Sequence, residues 1–227
     1  MSNRLSKEEL ESDPLIENYN RAANFYFENR VTVLSSAIAL IVLIGGIVGY
    51  NYYSASQESQ AQELLAIAED YYMQGDYENA LYGNEFELTY GFDQIADEFP
   101  RTNAGNIAVY YAAVSSFELG DVENALNYME SFDVPNGIMG VGPLTFHARL
   151  FMANESVVAA ADKFVEAANW NENEVTTPSN LFEAAQAYYK AGDNERANEL
   201  VTQIIEEYPQ SSKFAESQKL KGMIAAN

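Results

Sequence analysis

The sequence contains no cysteine and a single histidine, His147. Without cysteine, the chain has no disulfide framework, no thiolate nucleophile and no sulfur-ligated zinc or iron–sulfur site. With one histidine, a metal site built on two histidines cannot form within one chain, and a Ser/His/Asp triad would have to use His147. Composition alone therefore disfavours an enzyme, and we expect neither a metal ion nor a cofactor.

Basic residues are also scarce, with 12 Lys and Arg against 34 Asp and Glu and a formal net charge of −22. Proteins bind nucleic acid by neutralising its phosphates with clustered Lys and Arg, and no five-residue window here is predominantly basic. The charge therefore argues against nucleic acid, and equally against anionic lipid surfaces, as partners. Hydrophobic residues make up 48% of the chain, which is typical of a folded protein.

Residues 31–50 form a run without any charged side chain, and eleven of these twenty residues are Val, Ile or Leu. A helix of this length spans about 30 Å, the thickness of the hydrocarbon core of a bilayer. A buried core helix is one alternative, but such helices are rarely apolar all round for five turns. A cleaved signal peptide is another alternative, but it would need a short basic leader, whereas the leader here is thirty residues long and acidic. The run therefore predicts an uncleaved transmembrane anchor.

Charges and aromatic residues on either side of the run predict its orientation. Arg21 and Arg30 precede it, whereas no Lys or Arg follows it before Arg101. Because basic flanks stay on the cytoplasmic side, we expect residues 1–30 to form a cytoplasmic tail. Aromatic residues at 25–27 and 50–53 resemble the belts that lie at the headgroup level, so residues 31–53 are predicted to form the membrane helix and its interfacial flank. Residues 54–227 would form a domain on the far side.

Two glycines in the run, Gly45 and Gly49, lie about one helical turn apart. Such spacing allows the backbone of another membrane helix to approach closely. Because glycine is common in membrane spans, a neutral role is the alternative. We therefore predict a helix–helix contact at these two residues and leave a homo-oligomer open.

Apolar residues in 54–227 recur at helical spacing without the sustained alternation that strands require, so this domain is predicted to be all α-helical. Its clearest repeat centres on the turn at Gly192 and Asp193. Apolar and small residues stand at fixed offsets around that turn: Leu181, Ala185 and Tyr188 before it, and Ala197, Val201, Ile204 and Pro209 after it. These offsets resemble the tetratricopeptide repeat, in which glycine and aspartate make the turn between two packed helices.

The same register recurs at Gly75, at Gly120 and, without the turn glycine, at Glu155. The four turns are separated by 45, 35 and 37 residues, against about 34 in an unadorned repeat of this kind. An insertion near 82–86 accounts for the long first interval and is predicted to move the second helix to 92–99. Four helix pairs would then stack as a solenoid, and residues 212–226 would form a closing helix.

The layout as a whole, a short tail, one span and a repeat domain beyond it, resembles the family of the ancillary SecYEG translocon subunit of Gram-negative bacteria. The segments that carry this resemblance are 24–29, the span itself and 50–53. It implies a single-pass protein of the inner membrane whose repeat domain faces the periplasm, associates with the translocon and is linked to periplasmic chaperones. Segments 92–100 and 201–209 also resemble repeats of outer-membrane assembly lipoproteins, but this chain has a span and no lipidatable cysteine.

Candidate chemistry is sparse. His147 falls between Leu144 and Phe151 on a predicted helix, where we expect it to pack in the core. Three glycines, Gly137, Gly140 and Gly142, are spaced unlike a dinucleotide fingerprint, so we interpret them as a flexible loop between repeats.

The remaining candidate site is the concave groove that a helical solenoid presents to proteins or peptides. Five aromatic residues on the first helices of the pairs are placed to face it: Tyr72, Tyr110, Phe117, Phe182 and Tyr189. Packing of the same residues between adjacent repeats is an equally good interpretation. An acidic groove with aromatic patches would prefer basic or amphipathic partners.

The sequence thus predicts a non-enzymatic, membrane-anchored interaction scaffold, with translocon subunits or periplasmic chaperones as partners. The alternative is a cell-division or envelope-assembly coordinator that binds a wall or outer-membrane assembly enzyme. A hydrolase that uses His147 is the least favoured hypothesis. The acidity itself has two explanations, choice of partner and adaptation to a salty environment.

Overall fold

The computed structural model describes residues 14–226. This part of the chain is helical and contains no β-strand, although an isolated antiparallel bridge joins Asn84 to Thr89. The helices are α1 (Pro14–Glu28), α2 (Arg30–Met73), α3 (Tyr77–Tyr82), α4 (Phe92–Glu98), α5 (Asn103–Glu118), α6 (Val122–Ser131), α7 (Ile138–Ala153), α8 (Val157–Trp170), α9 (Thr176–Lys190), α10 (Asn194–Glu207) and α11 (Phe214–Ala225). The predicted all-α class is confirmed.

The chain divides into two compact units, one ending at Ser56 and the other beginning at Gln57. The first unit holds α1 and the start of α2, and helical hydrogen bonding continues across Asn29, whose N–H donates to the Phe25 carbonyl at 3.0 Å. Among residues 14–226, α2 is the one helix long and apolar enough to cross a membrane, by length and composition. The side chains of its apolar stretch are not buried, unlike those of a core helix.

The second unit is built from helix pairs joined by nearly identical turns. The pairs are residues 57–73 with α3 and α4, α5 with α6, α7 with α8, and α9 with α10, and α11 follows the last pair. Turn glycines Gly75, Gly120 and Gly192 have φ between 78° and 87°, and Glu155 takes the same place with φ 58°. The predicted register is therefore confirmed at all four turns.

Hydrogen bonds explain why the turns repeat. The residue after each turn position donates its backbone N–H to a carbonyl five residues earlier, as Asp193 does to Tyr188 at 2.9 Å. This bond closes the preceding helix in a Schellman-type motif. The carboxylates of Asp76, Asp121 and Asp193 then cap the following helix by accepting a backbone N–H three residues on. Ser156 makes no such capping bond at the Glu155 turn.

The first repeat departs from the others as the sequence predicts. Its second half is split into α3 and α4 by residues 83–91, and Phe92 and Ile95 of α4 are fully buried. The carboxylate of Glu58 on α2 accepts the backbone N–H groups of Asn103 and Ala104, at 2.7 and 3.2 Å, and so caps α5 of the next repeat. A charge-assisted bond at a helix N-terminus stabilises that end.

Small residues let the paired helices approach closely. The alanines at the repeat positions are wholly inaccessible to solvent, including Ala80, Ala113, Ala125, Ala148, Ala160, Ala185 and Ala197. Large apolar residues fill the space beside them, for example Leu181, Val201 and Ile204 in the last pair. Any larger side chain at these alanines would have to displace a neighbouring helix.

Candidate protein-binding groove

The five predicted groove residues all lie on first helices of the pairs, and the structure places them in two groups. Tyr72, Tyr110 and Phe117 belong to a chain of aromatic contacts that crosses the first three repeats. Phe182 and Tyr189 line a cavity near the other end of the unit.

The aromatic chain joins successive repeats through ring contacts. Tyr72 meets Tyr111 edge to face at 5.0 Å between ring centroids, and Tyr110 meets Phe146 at 5.8 Å. Phe117 contacts the same Phe146 at 5.9 Å. These contacts correspond to the packing interpretation that the sequence left open. Burial raises the pKa of Tyr72 and of Tyr110 above the ordinary value of tyrosine.

Tyr110 also lines a cavity of about 450 Å³ whose lining has no charged residue. Ile107 on α5 and Met139 on α7 stand at its edge, 42% and 73% exposed, and Phe132 contributes another apolar wall. Sequence reasoning missed Ile107 and Met139, although each is an apolar residue on a first helix. The cavity is wide and apolar enough to receive a side chain of a bound segment.

Side chains from two helices form hydrogen bonds to the backbone of the segment between α6 and α7, which lines this cavity. The side-chain amide of Asn106 donates to the Asp133 carbonyl at 2.8 Å and accepts its N–H at 2.9 Å. The indole N–H of Trp170 donates to the Pro135 carbonyl at 2.9 Å. A β-carbon on Gly140 would clash with both the indole and that carbonyl. The wall of the cavity is therefore held by residues of the second and third repeats.

These contacts correct the interpretation of Gly137, Gly140 and Gly142 as a flexible loop. Gly137 is the N-cap of α7, with φ 72°, and the other two glycines lie within that helix. Position 140 needs glycine because the side chain of Trp170, thirty residues further along the chain, leaves no space for a β-carbon.

The second cavity lies between α9 and α11 and measures about 320 Å³. Phe182 and Tyr189 line it together with Leu220 and Met223, and Glu216 and Lys219 supply charges of both signs. Phe182 itself is only 4% exposed, and the ammonium group of Lys213 lies 4.9 Å from its ring centroid. Most of this ring therefore serves packing.

A polar cluster that sequence reasoning missed braces α8, α9 and α10 together. The Tyr188 hydroxyl donates to the Asp162 carboxylate, while the Arg196 guanidinium lies over the Tyr188 ring at 4.1 Å and bonds Asp193 at 2.5 Å. Burial, and secondarily the bond to Asp162, raises the pKa of Tyr188 to about 12. These groups hold the last repeats together, and none of them lines either cavity.

His147 is packed in the core as expected. It is 7% exposed and stacks on Phe151 with 4.9 Å between ring centroids and an angle of 14°. Burial, with a smaller contribution from Lys163, lowers its pKa to about 4. Within residues 14–226, Nε2 of His147 has no hydrogen-bond partner, and no cluster of three metal-ligating side chains occurs.

Comparisons with known proteins give two family matches. A family described as "Tetratricopeptide repeat-like domain" matches residues 24–133, and one described as "Tetratricopeptide repeat" matches residues 179–211. This chain is similar to two crystal structures of nearly identical TPR-like repeats from a putative kinesin light chain of Podosopora anserina, one of which carries a single substitution. For both structures the TM-score is 0.50 and the sequence identity is 17%. They cover 74% of this chain and 94% or 95% of their own, and at this identity they show the fold alone. No curated protein matches the sequence.

Proposed function

We propose that this chain, which carries tetratricopeptide-like repeats, is a membrane-anchored scaffold that binds segments of other proteins in its groove. The repeats carry the proposal, because such solenoids present an extended concave surface to proteins and peptides. The uncharged cavity of about 450 Å³ beside Tyr110 supports it, since an apolar pocket with few polar groups suits an anchoring side chain. Phe182 and Tyr189 are proposed to form a second anchoring point.

Anchoring is proposed through residues 31–53, with residues 1–30 in the cytoplasm and residues 54–227 on the periplasmic side of a bacterial inner membrane. Support comes from the uncharged run at 31–50, from the exposure of its side chains, and from Arg21 and Arg30 on one side only. Gly45 and Gly49, beside which the structure has open space, are proposed as a contact for another membrane helix.

Protease protection tests this topology. Protease added to intact spheroplasts should digest the part of the chain beyond residue 53 and spare the span. Full digestion only after the membrane is permeabilised would contradict the proposed orientation.

The partners proposed first are translocon subunits or periplasmic chaperones, because the segments at 24–29 and 50–53 resemble the translocon's ancillary subunit. Affinity isolation of the full chain from detergent-solubilised membranes should enrich them. The double substitution Ile107→Ser with Met139→Ser should lower that enrichment, because it removes apolar edges of the cavity. Val158→Ser, which changes an exposed apolar residue away from both cavities, provides the matched control.

A cell-division or envelope-assembly coordinator is the second candidate, supported by the resemblance of 92–100 and 201–209 to assembly lipoproteins. Enrichment of wall synthases or outer-membrane assembly enzymes in the same isolation, without translocon subunits, would favour it. Turnover by the purified protein that disappears in His147→Ala would instead indicate a hydrolase.

A further inference from the structure

The loop formed by residues 83–91, which splits the first repeat, directs two large apolar side chains into solvent. Phe86 is 100% exposed and Leu88 is 87% exposed, the two highest values among the large apolar side chains of residues 14–226. We refer to Phe86 and Leu88 as the loop tip. Large apolar side chains that are this exposed commonly mark contact sites when they occur together.

The loop is held in shape by its own hydrogen bonds. Oδ1 of Asn84 accepts the backbone N–H of Phe86 at 3.0 Å, and the Asn84 N–H donates to Oγ1 of Thr89 at 3.1 Å. A β-carbon on Gly83 would clash with the backbone of Thr89 and Gly91, and a β-carbon on Gly91 would clash with the backbone of Gly83 and Leu81. The loop tip is therefore presented by a braced structure.

A further bond ties the loop to α2. The Tyr71 hydroxyl donates to Oε2 of Glu87 at 2.7 Å, and Glu87 lies between the two apolar residues of the loop tip. Leu88 has φ 56°, a conformation that costs any residue with a β-carbon. The structure thus holds Leu88 outward in a strained conformation, although neither its side chain nor that of Phe86 contributes to the core.

The repeat that carries the loop tip contains acidic residues but no basic ones. Residues 57–100 contain eleven Asp and Glu and no Lys or Arg, so this repeat carries half of the net charge of the chain. A hollow of about 460 Å³ beside the loop is lined by Ile67, Tyr71, Asp70 and Glu87, and it shares no residue with either groove cavity. Glu87, which stands between Phe86 and Leu88 in the sequence, therefore links the loop tip to a hollow that also contains Asp70.

We propose that the loop tip and this acidic surface form a second docking site, which takes a basic, amphipathic segment of another protein. Apolar residues of the segment would cover Phe86 and Leu88, and its Lys or Arg would face Asp70, Glu85 and Glu87. Charge complementarity selects this occupant, because a net charge of −22 repels both anionic lipid and a second copy of the chain. The loop tip and the hollow share no residue with the two cavities on which the proposed function rests.

The test uses the full chain in nanodiscs of phosphatidylcholine. The probe is a fluorescent 18-residue helical peptide with Leu on one face and Lys on the other, followed by anisotropy against empty nanodiscs. The double substitution Phe86→Ser with Leu88→Ser should weaken binding at least tenfold, and raising NaCl from 50 to 300 mM should weaken it further. The matched control Val175→Ser, at a residue 74% exposed elsewhere, should leave the affinity within twofold.

Several outcomes would overturn the proposal. Affinity of the double variant within twofold of the natural chain, with thermal unfolding unchanged, would show that the loop tip does not bind. Equal binding of a peptide with Glu in place of Lys would remove the charge argument. Loss of peptide binding only in Ile107→Ser with Met139→Ser would place the peptide in the groove. Binding to phosphatidylglycerol vesicles, or self-association in sedimentation, that depends on Phe86 and Leu88 would identify lipid or a second copy as the occupant.

Discussion

Glu155 occupies a backbone conformation that the other three repeats assign to glycine. Its φ of 58° matches the turn positions of Gly75, Gly120 and Gly192. A β-carbon in this conformation costs about 1–2 kcal/mol, which glycine would avoid. Part of this gain is lost because glycine gives the unfolded chain more conformational freedom. Glu155→Gly should therefore raise the free energy of unfolding by about 0.5–1 kcal/mol. Chemical denaturation of the full chain measures the change.

The reverse substitution supplies the control for this prediction. Gly192→Ala places a β-carbon at φ 83° and, with the same offset from the unfolded chain, should lower the free energy of unfolding by about 0.5–1 kcal/mol. If both substitutions shift stability in the same direction, backbone strain does not explain the Glu155 turn.

His147 makes stability depend on pH in a defined window. Its pKa is lowered from 6.5 to about 4 by burial, so the unfolded chain binds a proton at a pH where the folded chain does not. The stabilisation is complete above pH 6.5 and is lost as the pH falls towards 4. Between pH 7 and 5, the free energy of unfolding should fall by about 2 kcal/mol more in the natural chain than in His147→Leu. Equal falls in the two proteins would show that His147 is not desolvated.

At the scale of the element, the segment between α6 and α7 depends on side chains from outside it. Asn106 makes two hydrogen bonds to the backbone of Asp133, so Asn106→Ala should cost about 1–2 kcal/mol of stability. Hydrogen exchange at 132–137 should become faster in this variant, while Asn106→Asp, which keeps the acceptor, should have a smaller effect. Asn127→Ala, an exposed site on α6, serves as the control. Unchanged exchange would mean that Trp170 alone holds the segment.

The helix pairs themselves follow from short-range chemistry. Glycine or its substitute closes one helix, aspartate caps the next, and alanine at the crossing point allows contact. The insertion at 83–91 was predictable from the long first interval, but its shape was not. The loop depends on the approach of Gly83 to Gly91 and on Tyr71, which lies on another helix.

At the scale of the whole molecule, acidic charge is distributed unevenly, with eleven acids and no base in 57–100. Mutual repulsion of these groups opposes folding and is screened within about 10 Å at 0.1 M salt. The unfolding midpoint of the full chain should therefore rise by several degrees between 20 and 500 mM NaCl. Glu78→Lys with Glu98→Lys should reduce that rise. A midpoint that is independent of salt would favour choice of partner over self-repulsion as the explanation of the acidity.

The sequence by itself determined the class of the fold, the four turns and the apolar run, because each depends on residues within a few positions of one another. Only the tertiary structure decided which aromatic residues border a cavity. Tyr72 and Tyr110 both lie on first helices and both contact neighbouring rings, and Tyr110 in addition borders the uncharged cavity. The cavity is formed by Phe132, which follows α6, by Met139 on α7 and by the segment that Trp170 braces. The side of a helix that faces solvent depends on how its neighbours pack, and periodicity within one helix does not contain that information.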